Sequence, residues 1–262
     1  MKLIRFEISG EILYGALDGG VVKCIEGSIF GAHSITGRAF PLDIIKLLAP
    51  VAPPNIIAIG LNYSSHAGES GETPPARPII FLKATTSVIA HNETIRLPVI
   101  APDEVDYEAE LCVVIGKTAK DVSEEDALEY VLGYTCGNDV SARDCQLRLD
   151  SQWARGKSFD TFCPIGPHIE TDIKDPDNLK ISSRLNGALM QSSNTRNMLF
   201  TVRNLISYCS HNMTLLPGTL IMTGTPEGVG FARKPPVFLQ SGDNVEVEIE
   251  GVGALRNNVA AL

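Results

Sequence analysis

Two glutamates lie two residues apart in a run that otherwise has the composition of a buried strand. Glu108 and Glu110 belong to the segment Val105–Gly116, and residues two apart in a strand project from the same face, which assigns Leu111 and Val113 to the opposite face. Like charges on one face repel, and burial makes each ionised form costlier still. A divalent cation that takes oxygen ligands would neutralise them. A strand with one solvated face is the alternative, and the apolar residues that follow favour the metal site.

A histidine and a glutamate three residues apart could form a general base. His66 and Glu69 follow a predicted strand, and in a helix they would lie on one face. A glutamate that accepts a hydrogen bond from one imidazole nitrogen fixes the tautomer and makes the other nitrogen more basic, as activation of water requires. The alternative is an exposed ion pair at a helix start. Glycines and prolines surround the pair, so this segment could also behave as a lid.

A carboxylate at the exit of the next predicted strand is the candidate third metal ligand. Asp139 follows the predicted strand Gly133–Cys136 and could join the two glutamates around one cation. Arg143, at the start of a predicted helix that opens at Ser141, could clamp a substrate carboxylate with its planar guanidinium. The alternative is that Asp139 caps this helix and Arg143 forms a surface ion pair.

Two further segments could contribute charge or hydrogen bonds. Three carboxylates around one divalent cation leave excess negative charge, which the ammonium group of Lys157 would offset. The Gly-Lys-Ser at this position is not a phosphate-binding loop, because Ser151 stands where that motif requires glycine.

The loop Thr223–Gly230 would present backbone N–H groups and a threonine hydroxyl to an anionic group, although tight turns use the same residues.

The elements that must position these residues are mainly short strands. Beyond residue 55 the predicted strands are Asn55–Gly60, Ile79–Lys83, Glu108–Ile115, Gly133–Cys136, Leu179–Leu185, Thr219–Thr223 and Val245–Ile249. Asn186-Gly187 predicts a hairpin, Ser123 a helix start and Thr201–His211 a helix. This pattern favours a mixed α+β, β-dominated architecture over a doubly wound sheet.

The first fifty residues have the pattern of a small β-rich domain. Turn signals separate the predicted strands Leu3–Ile8, Ile12–Leu17 and Val21–Ile25, and a short helix is predicted over Pro41–Leu48. The proline-rich connector of residues 49–55 then marks a boundary. We therefore expect an N-terminal domain of residues 1–50 and a larger domain of residues 56–262.

Bulk composition excludes several classes of protein. The chain of 262 residues carries a net charge of −9 and has a pI near 5.1, which argues against nucleic-acid partners and anionic membrane surfaces. No apolar stretch approaches the roughly 20 residues of a membrane-spanning helix, and charges at positions 2, 5 and 7 rule out the apolar core of a signal peptide. Six scattered cysteines indicate reduced thiols and a cytoplasmic protein.

Five segments in order make the sequence resemble the fumarylacetoacetate hydrolase superfamily. The likeness covers nearly all of residues 56–262 and rests on Leu61-Asn-Tyr with His66 and Glu69, Asp106-Tyr-Glu-Ala-Glu110, Gly137-Asn-Asp-Val-Ser-Ala-Arg-Asp144, Lys157-Ser-Phe-Asp-Thr-Phe-Cys-Pro164 and Gly224-Thr-Pro-Glu-Gly-Val-Gly230. The N-terminal fifty residues look like the small domain of hydroxyheptadienedioate isomerase homologues. The sequence departs from many relatives at Ala84 and Cys145, which puts the substrate rather than the metal site in doubt.

The resemblance implies a core folded as a mixed β-sandwich roll and assembled into a homodimer. It implies Mg²⁺ or Mn²⁺ held by Glu108, Glu110 and Asp139, with His66 and Glu69 as catalytic dyad and Lys157 as active-site lysine. The residues that match substrate contacts of relatives are Lys83, Arg143, Gln146 and Thr225.

These assignments lead to a metal-dependent hydrolase as the first functional hypothesis. It would cleave a carbon–carbon bond in a 2,4-diketo acid of the acylpyruvate or fumarylpyruvate type, with a water activated by His66 and an enolate stabilised by the metal and Lys157. The same enolate chemistry would serve an isomerase or decarboxylase of 2-oxo or 2-hydroxydienoate dicarboxylic acids, such as oxaloacetate. In each case the substrate is a small carboxylic acid. A non-catalytic metal-binding or assembly protein is the hypothesis from another class, and it predicts the loss of ligand or dyad residues, none of which is missing.

Overall fold

The computed structural model describes residues 1–262, and its first part is an antiparallel meander. Its turns fall at the predicted positions, with positive φ angles at Ser9, Gly10, Gly19 and Gly20 that suit tight turns. The five strands here are β1 Lys2–Ile8, β2 Glu11–Asp18, β3 Val21–Gly27, β4 His33–Pro41 and β5 Lys46–Leu48.

The helix predicted over Pro41–Leu48 is wrong. Only Leu42–Ile44 form a 3₁₀ turn, and β5 pairs antiparallel with β1, with Phe6 opposite Leu47. Leu42, Ile45 and Leu47 pack on a small apolar cluster built around Phe6 and Val22. Tertiary pairing with β1 overrides the local preference for a helix.

The meander continues into one large mixed sheet. In that sheet the strand order is β4-β3-β2-β1-β14-β12-β11-β17-β6-β7, with β5 beside β1 and β8 beside β14. Its remaining strands are β6 Ile56–Gly60, β7 Ile79–Lys83, β8 Val88–Ile89, β11 Ala109–Ile115, β12 Val131–Asn138, β14 Cys163–Glu170 and β17 Leu220–Met222.

A second sheet of five strands, in the order β16-β15-β18-β19-β9, packs against the first. The strands outside the large sheet are β9 Thr94–Leu97, β15 Lys180–Leu185, β16 Ala188–Asn194, β18 Asn244–Ile249 and β19 Gly253–Ala261, with a two-stranded ribbon of β10 Val105–Asp106 and β13 Ser141–Ala142. Asn186 and Gly187 form the predicted hairpin turn between β15 and β16. The β-dominated α+β architecture is therefore confirmed.

Strand β11 is buried on both faces. Leu111 and Val113 pack into the large apolar cluster between the two sheets. Cys112 and Val114 pack into a second cluster on the other side of the large sheet. This split is the one that strand alternation predicts, and it means that Glu110 projects into an interior rather than toward water.

The α-helices are few and short: α1 Ser64–Glu69, α2 Ala154–Lys157 and α3 Val202–Asn212. The helix predicted at Thr201–His211 is confirmed, since the Thr201 hydroxyl caps it by accepting the Asn204 N–H. Ser123 precedes only a 3₁₀ turn at Ala127–Tyr130, so the helix predicted there is wrong. The helix predicted to open at Ser141 begins two residues later: Ser141 and Ala142 form β13, and residues 143–149 are helical, with a π-helix over Cys145–Leu149. None of the helices is long and apolar enough to cross a bilayer.

All six cysteines are buried and none forms a disulfide, in line with the predicted reduced thiols.

Candidate active site and metal centre

The three predicted metal ligands converge because two paired strands end side by side. β11 and β12 pair antiparallel, with Ala109 opposite Asn138. Glu108 directly precedes β11 and Asp139 directly follows β12, and the Asp139 N–H donates to the Glu108 carbonyl at 2.9 Å. Side-chain oxygens of Glu108, Glu110 and Asp139 all lie within 4.8 Å of one another, and all three residues are buried. Strand pairing therefore brings together the acidic triad that the sequence predicts.

Two buried lysines contact these carboxylates. Lys157, the last residue of α2, donates to Glu108 Oε2 at 2.8 Å and to Asp139 Oδ2 at 2.7 Å. Lys83, the last residue of β7, donates to Asp139 Oδ1 at 2.5 Å and to the Lys157 carbonyl. Burial acts to lower the pKa of Lys157, but the carboxylates of Asp139 and Glu108 outweigh it and raise that pKa. Lys157 is therefore the compensating cation that the sequence predicts.

A fourth buried carboxylate, Asp106, holds Arg143. The Arg143 guanidinium contacts Asp106 Oδ2 through Nε at 3.0 Å and Glu108 Oε1 through Nη2 at 2.7 Å. Its Nη1 donates to Gln146 Oε1 at 2.8 Å, and the Phe231 ring centroid lies 4.4 Å from its Cζ. Sequence reasoning assigned no role to Asp106, because nothing in its neighbourhood shows that an arginine 37 residues later pairs with it.

Charge balance singles out Glu110. Four buried carboxylates face three buried cations, so one negative charge has no partner. Burial acts to raise the pKa of Glu108, but Lys157 and Arg143 outweigh it and lower that pKa. Glu110 forms no ion pair, and one backbone N–H at 2.9 Å is its hydrogen-bond partner. Burial, followed by repulsion from Asp139 and Glu108, raises the pKa of Glu110 well above its usual range.

This donor set fits a hard divalent cation. Carboxylate oxygens are the ligands that Mg²⁺ and Mn²⁺ prefer, and a carboxylate oxygen that accepts one hydrogen bond keeps a second lone pair. The unpaired charge of Glu110 is what such an ion would neutralise. Glu108, Glu110 and Asp139 are therefore the residues that would hold a metal ion.

Helix α1 holds the predicted dyad. His66 Nδ1 lies 2.9 Å from Glu69 Oε1, and both oxygens of Glu69 accept the N–H of Gly228, at 3.1 and 2.9 Å. The Ser65 hydroxyl also donates to Glu227, so α1 is tied to the same segment twice. With Glu69 on Nδ1, Nε2 is the basic nitrogen of His66.

The segment Thr223–Phe231, which we term the carboxylate-binding loop, uses its backbone to bind the protein's own acids. Four N–H groups make these contacts: Gly224 to Glu110 at 2.9 Å, Gly228 to Glu69, Gly230 to Asp106 at 2.7 Å and Phe231 to Asp106 at 3.0 Å. Gly224 and Gly228 have φ angles of 97° and 98°, which glycine adopts without strain. The prediction that the loop's N–H groups face a bound anion is therefore wrong for these four, since carboxylates of the chain occupy them.

A cavity of about 100 Å³ lies between α1, α2 and the large sheet. Its polar wall includes six predicted site residues: His66, Glu108, Arg143, Gln146, Lys157 and Thr225. The other four predicted residues do not line the cavity. Glu69 pairs with His66, Asp139 with Lys157 and Lys83 with Asp139. Glu110 lies beside Glu108 and Asp139 in the acidic triad. The role of Lys83 as a substrate contact stays a prediction, because the residue does not line the cavity.

The apolar wall of the cavity was missed from the sequence. Its main members are Ile59, Leu61, Phe81, Leu147, Trp153 and Phe231. Phe81 and Trp153 meet edge to face, with ring centroids 5.8 Å apart. Phe81 could have been found, because strand alternation puts it on the face of Lys83. Trp153 lies in an irregular segment before α2, and no periodicity marks it.

Two family models match the chain. The model described as "Fumarylacetoacetate (FAA) hydrolase C-terminal" matches residues 55–260, and the model described as "Rv2993c-like, N-terminal" matches residues 1–50. Oxaloacetate tautomerase Fahd2a, mitochondrial, from Rattus norvegicus is 49% identical over 222 residues, which are 84% of this chain and 71% of the relative.

Solved structures are similar over the whole chain. The crystal structure of 2-hydroxyhepta-2,4-diene-1,7-dioate isomerase from Mycobacterium marinum has a TM-score of 0.90 and 41% identity, covering 100% of this chain and 98% of the other. Fumarylacetoacetate hydrolase from psychrophilic Exiguobacterium antarcticum has a TM-score of 0.90 and 38% identity, with 100% of both chains covered.

Proposed function

The chain belongs to the fumarylacetoacetate hydrolase family, and on that premise we propose that it interconverts the enol and keto forms of a small 2-oxo dicarboxylic acid, with oxaloacetate as the first candidate. Similar proteins support an isomerase-type reaction: an oxaloacetate tautomerase in rat and a hydroxyheptadienedioate isomerase in M. marinum. The proposal takes up the alternative of the sequence hypothesis rather than its first choice, hydrolysis.

The observation that carries the proposal is a base and a fixed ammonium ion on the wall of one small cavity. His66 and Lys157 both line it, and each is oriented by carboxylates behind it. Arg143 and Lys157 place two cations on the same wall, which suits a small dicarboxylic acid.

The proton transfer follows from the dyad. Nε2 of His66 removes a proton from C3 of the keto acid, and the electron pair of that C–H bond forms the C2=C3 double bond. The C2 carbonyl oxygen takes the negative charge and then the proton, which His66 returns as imidazolium. Glu69 accepts a hydrogen bond from Nδ1–H throughout and stabilises the imidazolium. The same steps in reverse convert enol to keto acid.

Lys157 stabilises the charge on oxygen without giving up its proton. Its raised pKa keeps the ammonium ion charged while the enolate forms and decays. Electrostatic groups that are already in place are the most effective stabilisers of developing charge, since they need no reorganisation. Glu108 and Asp139 fix the ammonium group at this position.

A bound Mg²⁺ or Mn²⁺ would supply Lewis acidity toward the 2-keto oxygen and its neighbouring carboxylate. Glu108, Glu110 and Asp139 would hold it, and their unbalanced negative charge would then become a net positive charge that favours an anionic substrate.

The dyad does not by itself favour hydrolysis. Sequence reasoning preferred hydrolysis because decarboxylation needs no activated water, but tautomerisation needs a base just as hydrolysis does. Hydrolysis of an acylpyruvate also requires room for the acyl group and for the attacking water. Among reactions that share an enolate, tautomerisation uses the fewest groups beyond those on the cavity wall.

The test is the conversion of enol-oxaloacetate to its keto form by Mg²⁺-loaded protein, followed by the loss of enol absorbance and by NMR of the product. We expect acceleration by the wild type and a loss of roughly 10²- to 10⁴-fold in His66→Asn, the usual contribution of a general base. The matched control is His211→Asn, which alters an exposed histidine on α3 and should leave the rate unchanged.

Acylpyruvates belong in the same assay. Release of pyruvate from them with no effect on enol-oxaloacetate would overturn tautomerisation in favour of hydrolysis. Pyruvate formed from oxaloacetate itself, at the rate at which the enol disappears, would instead identify a decarboxylase.

A further inference from the structure

Gln191 is a buried side chain of β16 that reaches the active site from the second sheet. It is 1% exposed and makes four hydrogen bonds. Its Oε1 accepts the Ala109 N–H at 2.9 Å and the Ser183 hydroxyl at 2.9 Å, and its Nε2 donates to Thr225 Oγ1 at 2.8 Å and to the Pro226 carbonyl at 2.9 Å. The amide is thus fully satisfied and links β11, β16 and the carboxylate-binding loop.

These partners determine which way round the amide lies. A backbone N–H can only donate, so the atom facing Ala109 must be the oxygen. A backbone carbonyl can only accept, so the atom facing Pro226 must be the nitrogen. Reversing the amide would place two donors together at Ala109 and two acceptors together at Pro226. The orientation therefore follows from the chemistry of the two backbone partners.

The fixed amide in turn determines the role of the Thr225 hydroxyl. Because Gln191 Nε2 donates to it, Thr225 Oγ1 is an acceptor in that contact and its own proton is free. Thr225 is 3% exposed and lines the cavity, and no protein group accepts its proton. The hydroxyl can therefore donate into the cavity.

The orientation of the Gln146 amide follows from a similar argument. Arg143 Nη1 is a donor only, so the Gln146 atom that it contacts at 2.8 Å must be the oxygen. The NH₂ group of Gln146, which also lines the cavity, is then left to donate. Thr225 and Gln146, two neutral residues on the cavity wall, can thus both donate hydrogen bonds to a ligand.

We propose that Gln191 is a positioning residue that occupies one lone pair of the Thr225 hydroxyl and leaves its proton for the ligand, so that the site favours a ligand oxygen that accepts, such as a carboxylate or enolate oxygen. This inference rests on the proposed function for the identity of the ligand. Gln191 itself would not contact the substrate. It would determine the hydrogen-bonding role of Thr225, which would.

The test is the binding of oxalate, which at neutral pH is fully ionised and offers only acceptors. Isothermal titration calorimetry on Mg²⁺-loaded protein would compare Thr225→Val with Thr225→Ser. A hydrogen bond to a charged group predicts that Thr225→Val weakens oxalate binding roughly 10- to 100-fold. Thr225→Ser, which keeps the hydroxyl, should stay within about threefold of the wild type. Thr36→Val, remote in the N-terminal meander, is the control for loss of a hydroxyl.

The role of Gln191 is tested by Gln191→Glu in both backgrounds. Glutamate replaces the donor beside Thr225 with an acceptor, so the hydroxyl proton would turn away from the cavity. We expect weaker oxalate binding in the presence of Thr225 and a clearly smaller effect in Thr225→Val, as coupled neighbours show. An equal loss in both backgrounds would mean that Gln191 acts through the fold or through charge, and the inference would be wrong.

Should thermal melting show that Gln191→Glu does not fold, Gln191→Met, which removes the donor to Thr225 without adding a charge, replaces it in the same two backgrounds. Equal oxalate binding by Thr225→Val and Thr225→Ser would show that the hydroxyl donates no hydrogen bond to the ligand. Wild type that fails to bind oxalate at all would also overturn the inference.

Failure of the proposed function is separable, because oxalate binding needs no turnover. If the variants bind oxalate as expected but the wild type shows no tautomerase activity, only the proposed function is wrong. Full tautomerase activity with an unaffected Thr225→Val would remove only this inference.

Discussion

Charge balance, rather than packing, holds the side chains of the active site in place. Asp106, Arg143, Glu108, Lys157 and Asp139 form a continuous chain of buried ion pairs. Removing one partner of such a pair is costly because the other is left as an uncompensated buried charge. Glu110 stands outside this chain of pairs. Neutralising it should therefore not lower the stability of the metal-free protein.

We expect Glu110→Gln to keep the metal-free protein about as stable as the wild type and to weaken metal binding. Glutamine mimics a protonated Glu110 and can still accept the Gly224 N–H. Lys157→Met should instead cost roughly 3–5 kcal/mol, because Glu108 and Asp139 lose a shared buried cation and a second negative charge is left unbalanced. Urea unfolding of metal-free protein and titration with Mn²⁺ measure both effects.

The exposed Lys180→Met serves as control for the loss of a lysine charge. Lower stability of metal-free Glu110→Gln than of Lys157→Met would contradict the charge assignment.

Part of this cluster could be predicted from the sequence. Glu108 and Glu110 are revealed by strand alternation, and Asp139 by its position at a strand exit. Asp106 and Gln191 could not be found in this way, because their partners lie 37 and 34 residues away along the chain. No local pattern records such a pairing.

Among the secondary-structure elements, β6 and the segment before α2 set the width of the cavity. Gly60 ends β6 directly beneath the ring of Trp153. A Cβ atom at Gly60 would lie 2.3 Å from Trp153 Cζ3, well inside contact distance. The tryptophan ring therefore occupies space that only glycine leaves open.

Gly60→Ala should displace Trp153 and cost roughly 1–3 kcal/mol, as overpacking of a filled site usually does. The double variant Gly60→Ala/Trp153→Leu should recover much of that stability, because the smaller side chain vacates the space. Thermal unfolding with tryptophan fluorescence follows the single variant directly, since Trp153 is the only tryptophan. The matched control, Gly37→Ala, adds a methyl group in open space.

An unchanged melting temperature and emission spectrum in Gly60→Ala would show that the ring has room to move. The inference of a tight contact would then be wrong.

Strand positions were more predictable than helices. The predicted strands Ile79–Lys83 and Val245–Ile249 agree with β7 and β18 within a residue, because β7 is a short apolar run and β18 alternates buried valines with glutamates. The predicted helix at Pro41–Leu48 failed because its apolar residues suit a strand equally well. β14 was missed since Pro164, Gly166 and Pro167 give it the composition of a loop.

At the scale of the whole molecule, the N-terminal fifty residues share a core with the rest of the chain. Leu3 and Ile29 belong to one apolar cluster with Ile165 and Ile169 of β14. Direct backbone pairing between β1 and β14 covers only a short register at Lys2 and Leu3. Apolar burial, more than hydrogen bonding, therefore joins the two regions.

Deletion of residues 1–50 should lower the stability of the remaining chain and promote its aggregation. The deletion would expose one edge of β14 and the apolar side chains that β1 and β3 cover, and uncovered edges and apolar patches associate. Calorimetry of the full chain should show a single transition. Two separate transitions, or a truncated chain that melts like the full one, would indicate independent domains instead.

The carboxylate-binding loop constrains how the protein can change over time. Its four contacts to Glu110, Glu69 and Asp106 come from main-chain atoms, which every residue type except proline supplies. Substitutions at the non-glycine positions can therefore accumulate without loss of these contacts. An inserted or deleted residue between Gly224 and Gly230 would instead shift every later N–H out of reach of its carboxylate. The length of the loop and its glycines are therefore the properties on which the metal ligand Glu110, the Glu69 that orients His66 and the Asp106 that holds Arg143 all depend.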